Sequence, residues 1–199
     1  LRHFRTDLKI ESKGGDPRNI VTTADMESDA AIKETILASF PAHGIVSEES
    51  PEVKGNGYVW YVDPVDGTSN FSRGSTYFCI SVGLAHGNQL LAAAVYSPVK
   101  GELYTAAKGK GAFLNGKKIA VSSNGETAEA MVCFDMCYEE SKRMQILNAM
   151  KSLVAAKSLR ITGSGAQAMW EIAAGRFDAY ANVRGGSWDF AAAALIVME

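Results

Sequence analysis

Neither sign of charge predominates in this chain. Its 199 residues carry 20 Lys and Arg against 22 Asp and Glu, and no long block belongs to one sign. Nucleic acid and membrane surfaces are therefore not expected as partners, because the basic stripe that would hold them is missing. No apolar run reaches the roughly 20 residues of a membrane span, and the opening residues do not read as a signal peptide. Cysteine is scarce: Cys79, Cys133 and Cys137 are odd in number and outside metal-finger spacing, so a reducing cytoplasm is expected rather than secretion. Histidine is limited to His3, His43 and His86, which makes Cys133 and Cys137 a poor zinc set and better small apolar residues.

What is present is apolar residue enough for a core, in one domain or in two small halves sharing a sheet. The chain starts at Leu1 rather than Met and stops at Ile196-Val197-Met198-Glu199, inside an apolar helical pattern without a cap. A fragment of a longer chain is the expectation.

The most informative stretch is Tyr58 to Phe71. An apolar, β-branched and aromatic run ends at Asp63, and a polar turn opens with Pro64, Asp66, Gly67, Thr68, Ser69 and Asn70. The pattern predicts a buried strand feeding a loop with two carboxylates three positions apart. Gly67 and Thr68 add backbone N–H groups beside a hydroxyl, a cradle for an anion. Carboxylates and an anion cradle accept the same guest only with cations between them, so a phosphate bridged by divalent metal is the simplest occupant. Asp-Pro and Asp-Gly are also ordinary turn dipeptides, and from this stretch alone that reading stands beside the first. An EF-hand loop is excluded, since its required places hold Val65, Gly67, Thr68 and Gly74.

In chain order, Leu1 to Ile20 is polar and irregular in pattern, with Gly14-Gly15-Asp16-Pro17 as a turn or flap. Asp25 falls in the first turn of a helix after Thr22-Thr23, where it suits the helix dipole. Ala30, Ile32, Ile36, Leu37 and Phe40 form its apolar stripe, and Pro41 ends it. Gly44-Ile45-Val46 is a short strand running into Ser47-Glu48-Glu49-Ser50. Two neighbouring strands would then bring Glu48, Asp63 and Asp66 to one sheet edge, a cluster that raises its own pKa values unless a cation is bound. Tyr77 to Leu114 reads as successive antiparallel strands joined at Gly87-Asn88, Pro98 to Gly101 and, beyond them, Asn115-Gly116. After Asn124 the period changes to α/β alternation: a strand at 131–134, a helix at 139–155 with Met144, Leu147, Met150, Leu153 and Val154 on one side, a strand at 158–162, a helix at 166–174, a strand at 178–183 and a last helix near Trp188-Asp189.

Gly163-Ser164-Gly165-Ala166-Gln167-Ala168 lies between strand and helix and matches a loose dinucleotide pattern. The acid that should close the next strand is absent, because Asp178 opens it and Asn182-Val183-Arg184 close it. A glycine-lined wall for a small polar ligand fits equally well. Asp189, after Gly185-Gly186-Ser187-Trp188, reads alone as a helix N-cap; with the earlier carboxylates it is a further oxygen ligand.

Together these pieces resemble the inositol monophosphatase family of magnesium-dependent, lithium-sensitive phosphatases. Ser47-Glu48-Glu49-Ser50, Asp63-Pro64-Val65-Asp66-Gly67-Thr68 and Trp188-Asp189 carry the resemblance in order, and Asn115-Gly116-Lys117 and Arg160-Ile161-Thr162-Gly163 are also similar. The resemblance implies an α+β, α/β-containing layered αβαβα sandwich of the inositol monophosphatase and fructose-1,6-bisphosphatase type, truncated at its C-terminus, and usually a homodimer. An N-terminal half, 1–123, would hold the antiparallel sheet and most metal ligands; an incomplete α/β half would fill 124–199.

By the same resemblance, Glu48, Asp63 and the carbonyl of Val65 correspond to ligands of a first Mg²⁺, and Asp63, Asp66 and Asp189 to those of a second. A third ion would lean on Glu48. Thr68, supported by Asp25, would orient the attacking water, and the amides of Gly67 and Thr68 would hold phosphate. Asp66, Gly163, Ser164, Gly165, Asn182 and Asp189 fall where the family contacts substrate. The implied reaction is Mg²⁺-dependent hydrolysis of a small phosphorylated alcohol, myo-inositol monophosphate first, with histidinol phosphate and fructose 1,6-bisphosphate as alternatives. Ser69-Asn70-Phe71 departs from the usual continuation of the phosphoadenosine-phosphate branch. Asn182 replaces a glutamate common in members that act on inositol phosphate, and Ser47 replaces a common glycine. Two readings from other classes remain: a nucleotide-dependent oxidoreductase built on Gly163 to Ala168, and a metal-binding regulatory protein without turnover.

Overall fold

A computed structural model describes residues 1–183 and 185–199; Arg184, expected near the close of a strand, lies outside the described residues. Residues 1–9 are irregular as expected, and an antiparallel hairpin follows where more of the same was expected. Its strands β1 (Ile10–Ser12) and β2 (Ile20–Thr22) place Ile10 opposite Thr22. A short 3-10 turn, Lys13–Gly15, caps the hairpin. Helix α1 (Thr23–Ser39) follows at once and starts on a capping box: the Ala24 N–H donates to Thr22 Oγ1, and the Thr22 N–H donates to Asp25 Oδ2. Its Ile32, Ile36 and Leu37 pack inward as expected. Ala30 and Phe40, expected in the same stripe, are exposed, and Asp29 takes an inner position where the Ser47 hydroxyl donates to it.

Seven strands build the main sheet in the order β3 (Gly44–Ser47), β4 (Tyr58–Asp66), β5 (Cys79–His86), β6 (Gln89–Ser97), β7 (Glu102–Ala107), β8 (Ala112–Leu114) and β9 (Lys117–Lys118). Strands β3 and β4 pair parallel, with Ser47 opposite Val62; every later pair is antiparallel. Strand β4 runs three residues past Asp63, where a turn is expected from sequence. The ladder skips Pro64 and Val65 in a bulge and resumes with Asp66 opposite Cys79. A bulge is where a strand tolerates a proline, which has no N–H for the ladder.

The second sheet is parallel and three-stranded, ordered β11 (Ser158–Ile161), β10 (Met131–Phe134), β12 (Ala179–Ala181). Short helix α2 (Thr68–Ser72) leaves β4; α3 (Glu140–Ser152), α4 (Gly165–Ala173) and α5 (Ser187–Met198) belong to the later part of the chain. Alternation along β5 fixes the layers. Val82 faces α1, while its neighbour Gly83 faces α5, so α1 and α5 lie on opposite faces of the large sheet. Helices α4 and α5 fill the middle with Ala166, Trp170, Ala192, Ala193 and Leu195 against Cys79, Val95 and Tyr104. On the far side α3 packs on β10 and β11 through Ile146, Met150 and Leu153. The result is an αβαβα sandwich.

One apolar stripe differs from expectation. Met144, Leu147 and Val154 are exposed, and Ile146 is the buried residue of α3. A 13-residue helix with apolar residues at 144, 146, 147, 149 and 150, and Leu153 as its C-cap, offers two overlapping faces, and periodicity alone does not choose between them.

Helix α5 approaches β5 closely because both surfaces are small. A Cβ added at Gly83 would lie 2.8 Å from the backbone nitrogen of Ala192. Gly83→Val should therefore destabilise the fold by about 1–3 kcal/mol through overpacking. Urea denaturation reads this as a lower midpoint, and an unchanged midpoint would show that the layers are not in tight contact there.

Candidate active site

Parallel pairing sends β3 and β4 to the same sheet edge, and that edge collects acids. Glu48 follows β3, its N–H donating to the Val62 carbonyl at 3.2 Å. Asp63 lies in β4 with its side chain toward α5, since the adjacent Val62 packs against α1. Asp189 occupies the first turn of α5, its Oδ2 accepting the Gly186 N–H at 2.6 Å. It is thus not the N-cap residue itself. One carboxylate oxygen from each of Glu48, Asp63 and Asp189 lies within 4.8 Å of the other two.

This convergence has an electrostatic cost. Burial, then the charges of Asp66, Glu48 and Asp189, holds the Asp63 carboxyl well above its ordinary value. Burial, then the charges of Asp66 and Glu48, push Asp189 up to about 7. Burial likewise pushes Asp66 up to about 6, against the pull of the Ser164 hydroxyl. The donor set is all oxygen, which suits a hard dication such as Mg²⁺ and does not suit a thiolate- or imidazole-seeking metal. The residues present fit the ion that the sequence implies.

Around these acids the chain encloses a cavity of about 620 Å³, lined by Glu48, Asp63, Val65, Asp66, Gly67, Thr68, Gly163, Gly165, Asn182 and Asp189 among others. Gly67 turns the chain from β4 into α2 with φ +93°, in the left-handed region, and an added Cβ would stand 2.8 Å from the Tyr77 carbonyl oxygen. Thr68 Oγ1 lies 2.9 Å from Asp25 Oδ1 and 3.1 Å from the Val65 carbonyl oxygen, so its single proton goes to one acceptor or the other. Asp25 is fully buried and also accepts from the N–H and hydroxyl of Thr22.

Two residues of the expected site stand apart from this trio. Ser164 is only 1% exposed and does not line the cavity; its hydroxyl donates to Asp66 Oδ2 at 2.7 Å, so it supports Asp66 instead of facing a substrate. Asp66 lines the cavity but stands outside the close trio. Its Oδ2 also accepts the Ala166 N–H at 2.7 Å, and its Oδ1 accepts the Gly165 N–H at 3.3 Å. The N-terminus of α4 is thereby filled by the protein's own carboxylate. That removes the seat a dinucleotide pyrophosphate would need on the Gly163 to Ala168 loop.

Sequence reasoning misses Lys13 and Asp135. Lys13 reaches from the hairpin turn to Glu48 Oε1 at 2.7 Å and Glu49 Oε1 at 2.5 Å, and it lines the cavity. Glu49, buried beside the charge of Glu48, is pushed up to about 7 despite this partner. No local pattern links residue 13 to 48. Asp135 did leave a signal, because it closes the apolar run Val132-Cys133-Phe134 as Asp63 closes its own run. It lines the cavity beside Gly163, and burial raises its pKa.

A model of the inositol monophosphatase family matches residues 1–199. A fructose-1,6-bisphosphatase/inositol-1-monophosphatase of Aquifex aeolicus is 37% identical over 96% of this chain and 72% of its own length. The extragenic suppressor protein suhB of Bartonella henselae superposes with a TM-score of 0.92 at 30% identity, covering 97% of this chain and 75% of that one. An IMPase/NADP phosphatase complexed with Mg²⁺ and phosphate superposes with a TM-score of 0.83 at 25% identity, covering 96% and 71%.

The raised carboxyls make metal-free stability depend on pH. Asp63, Asp66 and Asp189 hold protons more tightly in the folded chain than in the unfolded one, so stability falls as pH rises from about 4 through about 7. A dication removes that penalty. Thermal unfolding should show Mg²⁺ raising Tm more at pH 8 than at pH 5. An equal shift at both, or none, would mean that these acids do not hold the ion.

Proposed function

Because the chain belongs to the inositol monophosphatase family and is a hydrolase of phosphate monoesters, we propose that it acts on myo-inositol monophosphate or a closely similar polyol monophosphate. The observation that carries this is the convergence of Glu48, Asp63 and Asp189 on a cavity whose other wall is Gly67 and Thr68. Glu48, Asp63 and the Val65 carbonyl would hold one Mg²⁺; Asp63, Asp66 and Asp189 would hold a second, with a third near Glu48. Asp66 Oδ2 receives the Ser164 hydroxyl, the Ala166 N–H and the Cys79 thiol, whereas Oδ1 receives the Gly165 N–H at 3.3 Å, so Oδ1 is the oxygen available to turn toward an ion. When bound, such ions make a water acidic enough to attack and offset the charge growing on the phosphoryl and leaving oxygens.

The chain's own residues supply position. Thr68 Oγ1, its proton directed to Asp25 or Val65, offers its lone pairs to the attacking water and fixes its orientation. The N–H groups of Gly67 and Thr68 receive phosphate oxygens. Gly163, Gly165 and Asn182 border the alcohol. Among the described lining residues Lys13 is the single cationic side chain, and Glu48 and Glu49 already engage it. A second phosphate would need a cation of its own, which favours a monoester over fructose 1,6-bisphosphate. Cysteine usage and the family resemblance further favour a cytoplasmic homodimer; among the described residues no helix is long and apolar enough to cross a membrane.

Phosphate release from a panel of inositol, sugar and amino-alcohol phosphates should require Mg²⁺ and stop with chelator. Release from none of them would end this reading. Asp63→Asn should abolish turnover by leaving two ions short of a ligand, and normal turnover by that variant would refute the shared role. Asp189→Ala should raise the Mg²⁺ concentration needed for half-maximal rate; an unchanged titration would remove Asp189 from the ligand set.

A further inference from the structure

The cavity wall also carries a carboxylate that the chemistry above does not use. Asp135 follows β10, is 7% exposed and lines the cavity with Gly163, Gly165 and Asn182. Its orientation is fixed from two sides. Oδ1 accepts the Gly163 N–H at 2.7 Å, and Oδ2 accepts the Tyr180 hydroxyl at 3.0 Å. Tyr180 is held in turn, its oxygen accepting from Asn182 Nδ2 at 3.1 Å. Gly165 makes room for this arrangement. Its backbone is not left-handed, so conformation does not require glycine there; yet an added Cβ would lie 2.8 Å from Tyr180 Oη and 3.9 Å from Asp135 Oδ2. The missing side chain admits the tyrosine hydroxyl to the wall.

The geometry points to Asp135 as a specificity-determining residue: its carboxylate accepts a hydrogen bond from a free hydroxyl on the alcohol part of the substrate, and so selects polyol monophosphates over esters without a further donor. This rests on the phosphatase reading. An ionised carboxylate has about four acceptor sites and no donor, so the Gly163 N–H, the Tyr180 hydroxyl and the backbone of Thr162 still leave capacity that only a donor can satisfy. Asp66, also on the cavity wall, is braced by Ser164 and the α4 N-terminus through Oδ2 and is assigned above to an ion through Oδ1. A site that hydrogen-bonds a substrate hydroxyl discriminates sharply against an analogue lacking it, because the buried acceptor is then left unpaired.

The test compares kcat/KM for myo-inositol 1-phosphate and p-nitrophenyl phosphate in the Mg²⁺-loaded wild type, Asp135→Asn and Tyr180→Phe. Asp135→Asn should lower the polyol-to-aryl ratio roughly 10- to 100-fold, mainly through the polyol, with the aryl ester nearly unaffected. Tyr180→Phe, which frees Oδ2 from its guide, should lower the same ratio by a smaller factor and covers the case in which Asp135→Asn fails to fold. An unchanged ratio, or equal loss on both esters, overturns the inference while leaving the phosphatase reading intact. A wild type that prefers an amino-alcohol phosphate, with the preference lost in Asp135→Asn, also overturns it, since the carboxylate then reads a cation. Release from neither ester by the wild type overturns the phosphatase reading itself.

Discussion

Like charges held together against their repulsion set the terms for the rest of this molecule. Glu48, Asp63 and Asp189 come from a strand end, a strand interior and a helix start, and each is placed by a separate packing contact. The parallel pairing of β3 with β4 aligns the first two; the close seating of α5 on Gly83 brings the third. In the absence of cations the convergence opposes folding, and it persists because apolar layers on both faces of the sheet outweigh it. The site is therefore a local strain maintained by the core.

Much of this was readable from residue order, for a physical reason. A buried strand must alternate or run apolar, so an acid that closes such a run stands out, as Asp63 does after Tyr58 to Val62. The capping chemistry of Thr22 and Asp25 was equally local. Contacts that depend on distant segments were not readable. Lys13 meets Glu48 only because a hairpin folds over the sheet edge, and Ser164 turns inward only because Asp66 is there to receive it. The bulge at Pro64 and Val65 was hidden too, since a proline after a strand reads as its end until the partner strand is seen to resume pairing. For α3, two apolar faces competed, and only the position of the second sheet decided between them.

Asp66 does more structural work than its place in a metal-ligand pattern suggests. It belongs to the large sheet, yet its carboxylate receives the N–H groups that begin α4, a helix from the later part of the chain. Asn70 makes a second tie across the same seam, donating through Nδ2 to the carbonyl of Thr162 at 2.8 Å. The cavity lies along this seam, so its shape follows how the two parts sit together.

Lys13 ties the opening hairpin to the rim of the site. Its ammonium group rests between Glu48 and Glu49, on the first residue of a turn completed by Gly14 and Gly15. The polypeptide thus brings its own placeholder for part of the positive charge the cavity demands. Any cation that reaches Glu48 therefore shares that carboxylate with an ammonium group the chain itself supplies.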